Sequence, residues 1–159
     1  MSKTTRATEM LDRSGVTYSL HSYDYDPSAD RIGIQAASAL DVPAGHVLKT
    51  LMLMADNTPA CAVLPSDCEL SMKKLAHALG AKSAQMMKPA DAERITGFKV
   101  GGISPFGQKR NVPTVLEERA LALESVFVNG GQRGLQIKLD PKQIVLVLGA
   151  KAASLIATA

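Results

Sequence analysis

The twenty residues from His46 to Pro65, HVLKTLMLMADNTPACAVLP, constrain the fold of this chain more than any other stretch. Two apolar runs flank Asp56-Asn57-Thr58, which is the pattern of a strand, a turn and a second strand. With His46–Ala55 extended, Val47, Lys49, Leu51 and Leu53 share one face, and Leu48, Thr50, Met52 and Met54 share the other. Both faces are apolar except at Lys49, so the strand is expected to be central and covered on both sides. A lysine in such a strand either snorkels its amine to water or meets an anion. Burying it unpaired costs several kcal/mol or lowers its pKa by up to ~3–5 units.

Other segments supply the partners of this hairpin. Ala7, Met10 and Leu11 recur at helical spacing before Gly15, and VTYSLHSY alternates, with Tyr18 and Leu20 facing one way and His21 and Tyr23 the other. IQAASAL reads as a short helix, and Ser71 caps a helix running through Leu75, Ala76 and Leu79 to Gly80. AKSAQMM reads as a strand and PADAERITG as a helix. RALAL is a short helical piece, and Asn129-Gly130 marks a hairpin turn within SVFVNGGQRGLQIKL. IVLVL, between Asp140-Pro141 and Gly149, is assigned to a helix by its punctuation. With no repeat or low-complexity linker, all 159 residues are expected to form one α+β domain with a mixed or mainly antiparallel sheet.

Composition narrows the function classes. Aromatic residues make up 4% of the chain with no Trp, and the net charge is +3. A surface built on stacked bases or a strongly basic footprint is therefore disfavoured. Cys61 and Cys68 read as free thiols of a reducing cytoplasm, and the scattered His21, His46 and His77 lack zinc-site spacing, so no metal is expected. The N-terminus has no apolar signal core, and no apolar run approaches the ~20 residues of a spanning helix, so the expectation is a cytoplasmic protein away from membranes.

Between Val100 and Val115, VGGISPFGQKRNVPTV packs three glycines, two prolines and the adjacent cations Lys109 and Arg110. Gly101 and Gly102 let the backbone approach a ligand closely, and their amides are suited to a carbonyl oxygen that gains negative charge. A plain surface turn has the same composition. Lysines 73, 74, 82 and 88 lie in an acid-free segment, as do Lys99, Lys109 and Arg110, while Arg133 sits in the glycine-rich hairpin. These read equally as a phosphate-facing surface or a solvated face. Phosphate-loop, dinucleotide-binding, nucleophile-elbow and zinc-protease motifs are all missing. An enzyme of this sequence would therefore draw a reactive group from its substrate.

VLKTL, ALGAKSAQM, TGFKVGGISPFGQKRNVPT and VNGGQRGLQIKL occur in an order and spacing that closely resemble the YbaK (YbaK/EbsC) family. These are free-standing homologues of the editing domain of bacterial prolyl-tRNA synthetase, and the resemblance spans nearly the whole chain. It implies a mixed, mostly antiparallel, barrel-like sheet of six to seven strands flanked by helices. It also implies a cofactor-free deacylase acting in trans on the acceptor end of mischarged tRNA(Pro) carrying Cys or Ala, with prolyl-tRNA synthetase as a possible partner and DNA not among its ligands.

The family lysine falls on Lys49, where the resemblance implies electrostatic holding of the terminal phosphate or the ester. The G-x-x-x-P loop falls on Gly101–Pro105, with the Gly101 and Gly102 amides receiving the carbonyl oxygen or the terminal adenosine. Tyr23, Thr50, Ser104 and Pro105 would shape the aminoacyl pocket, and Lys109, Arg110 and Arg133 would meet tRNA phosphates. Ile32 replaces a pocket aromatic of the cysteine-specific branch, and Gln136 replaces an acidic residue; both bear on which aminoacyl group is accepted. For a cysteinyl ester the family mechanism has the substrate thiol attack its own ester. A non-catalytic tRNA- or nucleotide-binding module is the competing reading.

Overall fold

The computed structural model describes residues 4–28 and 31–157. Along the chain run α1 (Arg6–Arg13), β1 (Ser19–Ser22), α2 (Ile32–Leu40), β2 (Leu48–Ala55), β3 (Thr58–Pro65), α3 (Met72–Leu79), β4 (Ala84–Met86) and α4 (Pro89–Thr96). The second half holds β5 (Thr114–Glu117), β6 (Val126–Asn129), β7 (Leu135–Leu139), α5 (Lys142–Leu148) and β8 (Lys151–Ala153). Short 3-10 turns cover Ala44–His46 and Glu118–Ala122.

The β2–β3 hairpin forms as its sequence predicts. Leu48 lies opposite Pro65 and Ala55 opposite Thr58, so Asp56 and Asn57 make the two-residue turn. Both have positive φ, 47° and 67°, which the primed hairpin turns require and Asp and Asn tolerate better than other side chains. The Asp56 carboxylate also accepts the N–H groups of Lys82 (2.8 Å) and Ser83 (3.1 Å), which delivers β4 to the edge of β2.

The five-stranded sheet has the order β4-β2-β3-β5-β8, antiparallel through its first three strands and parallel from β3 to β8. A second sheet, β1-β7-β6, is antiparallel throughout. One parallel bridge, Val47 to Phe127, links the sheets. The expected barrel is thus corrected to two sheets that do not close, with eight strands among the described residues. Closure would need β2 and β6 to pair along their length, whereas the strands pack together with a single bridge, at Val47 just ahead of β2.

Met52, Cys61 and Val63 point into a core shared with Phe106, Leu116, Val128 and Ile137. Leu53 and Ala62 point the other way, onto Leu75 of α3 and Leu155. The central hairpin is therefore apolar on both faces because each face has its own cover. In α3 the Ser71 hydroxyl accepts the Lys74 N–H at 3.1 Å, as expected of its cap.

Two details differ from expectation. In the β6–β7 hairpin Asn129 is still paired, with Gln136, so the connection is Gly130–Gly134 rather than a tight turn at Asn129-Gly130. The Asn129 side chain instead organises that loop by accepting the Gly131 N–H at 2.7 Å. After α5 the chain adds β8, a three-residue edge strand whose pairing with β5 has no local sequence signal.

Candidate functional site

The site begins with an interruption in pairing. One edge of β2 is bonded to β3 throughout, but the other carries β4 only at Leu53–Ala55. On the side of that second edge the one bridge to β6 is at Val47, just ahead of β2. The Met52 carbonyl already turns toward β4, where it accepts the Met87 N–H at 3.1 Å. Backbone groups two residues apart on a strand point the same way, so the N–H and C=O of Thr50 face the gap between β4 and β6. This gap is a cavity of about 380 Å³. It wraps the open edge, and consecutive residues from both faces of β2, Leu48 to Met52, line it.

Lys49 enters this cavity half-buried. Burial first, and the charge of Arg31 second, push its pKa below the ordinary lysine value; Cys68, Glu69 and Asp67 pull weakly the other way. No carboxylate among the described residues lies within ion-pair distance of it: the one ion pair they form joins Arg94 to Asp91. Arg31 also lines the cavity and donates to the Ser66 carbonyl at 2.9 Å. Sequence reasoning missed Arg31, since its neighbourhood reads as a polar, acidic loop with no periodicity.

Arg31 is also the residue from which α2 starts, and its side chain makes no capping hydrogen bond. Ile32 and Gly33, the first residues of α2, line the same cavity. The positive dipole end of α2 therefore adds to the two side-chain cations. A side chain at Gly33 would run into Ser66, whose buried hydroxyl donates to the Val47 carbonyl at 2.6 Å. Glycine at position 33 is what allows the helix to start this close to β2.

The glycine loop supplies one of its two expected amides. Gly101 lines the cavity at φ +90°, and its carbonyl accepts the Asn129 Nδ2 at 3.2 Å. Its N–H has no acceptor among the described residues. The Gly102 N–H, by contrast, closes a turn onto the Lys99 carbonyl at 2.8 Å, and Gly102 is buried away from the cavity. Ser104 and Pro105 also stand apart from it. The buried Ser104 hydroxyl accepts the Phe106 N–H at 3.2 Å, a turn-forming bond, and Pro105 lines a second, smaller cavity with Arg110.

Ile32, Thr50 and Gln136 do line the main cavity. Thr50 Oγ1 and Gln136 Oε1 are buried with no hydrogen-bond partner. Tyr23 reaches the cavity only through Gln136. Its hydroxyl, buried and unpartnered as well, approaches that side chain, and burial raises its pKa while Gln136 pulls it down. Of the three expected tRNA-facing cations, Arg133 alone is at the rim, donating from Nε to the Val100 carbonyl at 2.9 Å. Arg110 belongs to the second cavity, and the Lys109 stem packs on Gly97 after α4.

Among the described residues, the cavity lining holds two cations but no carboxylate, imidazole or thiol. Such a chamber suits anionic or oxygen-rich groups. Residues 26–146 match the aminoacyl-tRNA editing domain family, and the chain belongs to that family. Within it, the chain is 35% identical over 153 residues to a protein of Enterococcus faecalis provisionally named Cys-tRNA(Pro)/Cys-tRNA(Cys) deacylase EbsC, covering 95% of this chain and 92% of that one. It is 33% identical over 89 residues to the proline–tRNA ligase of Acidithiobacillus ferrooxidans, covering 56% of this chain but 16% of that much longer enzyme.

The same fold occurs in the crystal structure of a protein described provisionally as a trans-editing enzyme for prolyl-tRNA synthetase. The TM-score is 0.81 at 22% identity, with 96% of each chain covered. No helix among the described residues is long and apolar enough to cross a membrane.

Proposed function

We propose that the protein is a trans-acting deacylase that clears mischarged tRNA(Pro), with Cys-tRNA(Pro) its preferred substrate, by substrate-assisted cleavage of the aminoacyl ester. The observation that carries this reading is the cationic cavity whose described lining holds Lys49 and Arg31 but no carboxylate, imidazole or thiol. For a cysteinyl ester the substrate thiol attacks the ester carbonyl. The S–C bond forms, the C–O bond breaks, and the thiol proton goes to the ribose oxygen, giving a thiolactone and free tRNA. Proximity within a held substrate can supply ~7–11 kcal/mol of the barrier.

In this reading Lys49 and Arg31, with the N-terminus of α2, hold the terminal phosphate or the ester, while the Gly101 amide receives the developing oxyanion. Thr50 and Gln136 offer their unpartnered oxygens to the aminoacyl group, and Tyr23 supports Gln136. Gly102, Ser104 and Pro105 serve by shaping the loop that presents Gly101. Lys109 and Arg110, on other parts of the surface, would meet phosphates farther along the acceptor arm.

The similarity to EbsC supports the cysteinyl substrate. The apolar part of the lining, Leu51, Met52 and Met87 among others, also suits alanine, for which water assisted by the terminal ribose hydroxyl would be the attacker. A net charge of +3 supports weak affinity for tRNA alone, and hence capture beside prolyl-tRNA synthetase in the cytoplasm.

The test is a deacylation panel of Cys-, Ala-, Ser- and Pro-tRNA(Pro). Cys-tRNA(Pro) is expected to be lost fastest, and Lys49→Ala to slow that loss at least ~100-fold. Esters that all survive at the buffer rate would refute the reading. Tight binding of uncharged tRNA with intact esters would replace it with a binding module.

A further inference from the structure

Among the described residues, Met86, Val100 and Leu146 are the large apolar side chains left open to solvent, and two of them stand at one place. Val100 is 42% exposed and Met86 51%, and both line the cavity that holds Lys49. Beside Val100 the exposed Arg133 is fixed rather than free: Nε donates to the Val100 carbonyl at 2.9 Å, and the guanidinium lies over the Tyr25 ring, 5.4 Å from its centroid.

Tyr25 in turn packs its hydroxyl end against Gly101, where an added Cβ would come within 2.7 Å of Oη. A flat guanidinium backed by an aromatic ring and bordered by bare apolar side chains is therefore built into the mouth of the cavity.

Resting on the deacylase reading, we propose that this rim, Arg133 on Tyr25 with Val100 and Met86, is the platform on which the terminal nucleobase of the aminoacyl-tRNA stacks, with a preference for a purine. Planar, weakly hydrated guanidinium groups stack well on the faces of bases, and apolar side chains at the border shield the contact from water. A purine covers more of such a platform than a pyrimidine does. With its base on the rim, the ribose and the ester it carries lead into the cavity, toward Gly101 and Lys49. Arg133 then recognises the base, a role that its charge alone would not fill.

The test is calorimetric titration of the full chain with AMP, UMP and ribose 5-phosphate, which share a phosphate and differ in the base. AMP is expected to bind about 10-fold or more tightly than ribose 5-phosphate, with UMP between them. Arg133→Lys keeps the charge but loses the flat group, and should cut the AMP preference at least about 5-fold, toward parity with ribose 5-phosphate, while leaving ribose 5-phosphate binding intact. Tyr25→Ala should do the same, with thermal unfolding used to check that the variant is folded.

Equal affinity for the three ligands, undetectable AMP binding, or a full AMP preference in Arg133→Lys would each overturn the proposal. The deacylation panel fails separately. Base-selective binding without ester cleavage would remove the deacylase reading and leave the platform, whereas cleavage without base selectivity would do the reverse.

Discussion

Replacing Lys49 by methionine should move stability and activity in opposite directions. The ammonium is half-buried, faces Arg31 and has no carboxylate of the described residues in ion-pair contact, so burial and the Arg31 charge disfavour its charged form in the folded state. A lysine whose folded-state pKa lies below its unfolded value destabilises the fold as long as it is charged. That penalty is fully present below the folded-state pKa and is gone above the ordinary value of 10.5.

Methionine removes the charge, keeps the length of the chain and adds apolar contact with Leu48, Leu51 and Met52 around the cavity. Half of the lysine remains within reach of water, which screens the effect, so the gain should be modest, about 0.5–1 kcal/mol at pH 7. For a domain of this size that is a rise in Tm of about 1–4 °C. Deacylation of Cys-tRNA(Pro) should fall at least ~100-fold in kcat/KM.

The assay is a thermal scan of both proteins from pH 7 to 10.5 beside the deacylation rate at pH 7. The stability gap should narrow as pH rises, because the wild-type lysine sheds its charge inside the cavity before it would in the unfolded chain. A Tm that drops by several degrees on substitution would mean that a partner stabilises the ammonium, and the cationic-cavity reasoning would be wrong. Undiminished activity would take Lys49 out of the chemistry.

Gly101→Ala forces a Cβ onto a backbone at φ +90° and against the Tyr25 hydroxyl. It should lower stability by about 1–2 kcal/mol in a thermal scan and weaken AMP binding as Tyr25 shifts. Gly102→Ala meets backbone, the Arg133 N at 2.9 Å, and should cost more stability than Gly101→Ala; the reverse order would contradict the packing of the loop. The buried Glu117 carboxylate accepts the N–H groups of Arg119 at 2.8 Å and Leu155 at 2.7 Å. Glu117→Ala orphans both, so a loss of about 2–4 kcal/mol in denaturant titration is expected. Burial pushes the Cys61 thiol to about 12 and raises that of Cys68, which is only partly buried. Iodoacetamide at pH 7.5 should therefore label one thiol slowly in the native protein and two in denaturant; rapid double labelling would refute the burial of Cys61.

What the sequence makes legible is local. The β2–β3 hairpin announces itself because a strand covered on both faces must be apolar at consecutive positions, and α3 because its cap, stripe and stop fall within ten residues. Lys49 stands out for the same reason, as a cation in an apolar run. The open edge that makes a site of it depends on β4 and β6 approaching from opposite ends, contacts between residues far apart in the chain. Arg31 gains its meaning only when α2 starts beside Ser66. The loop misleads at Gly102 and Ser104, since a glycine amide and a serine hydroxyl look available in sequence, and only the folded turn shows that Lys99 and Phe106 have taken them.

The distribution of unmet polar groups ties the fold to the reaction. Four buried side-chain oxygens among the described residues lack partners, those of Tyr23, Gln35, Thr50 and Gln136. Thr50 and Gln136 line the cavity and Tyr23 adjoins Gln136. The Gly101 amide and the backbone of Thr50 add further groups with no partner among the described residues in the same place. Each buried orphan costs about 1–3 kcal/mol, and folded chains rarely leave several close together unless something else satisfies them. A ninth strand between β4 and β6 would satisfy the backbone groups and close the sheet toward a barrel. The chain leaves that place open, and an extended aminoacyl-nucleotide terminus, rich in oxygens and carrying an ammonium, has the donors and acceptors to fill it.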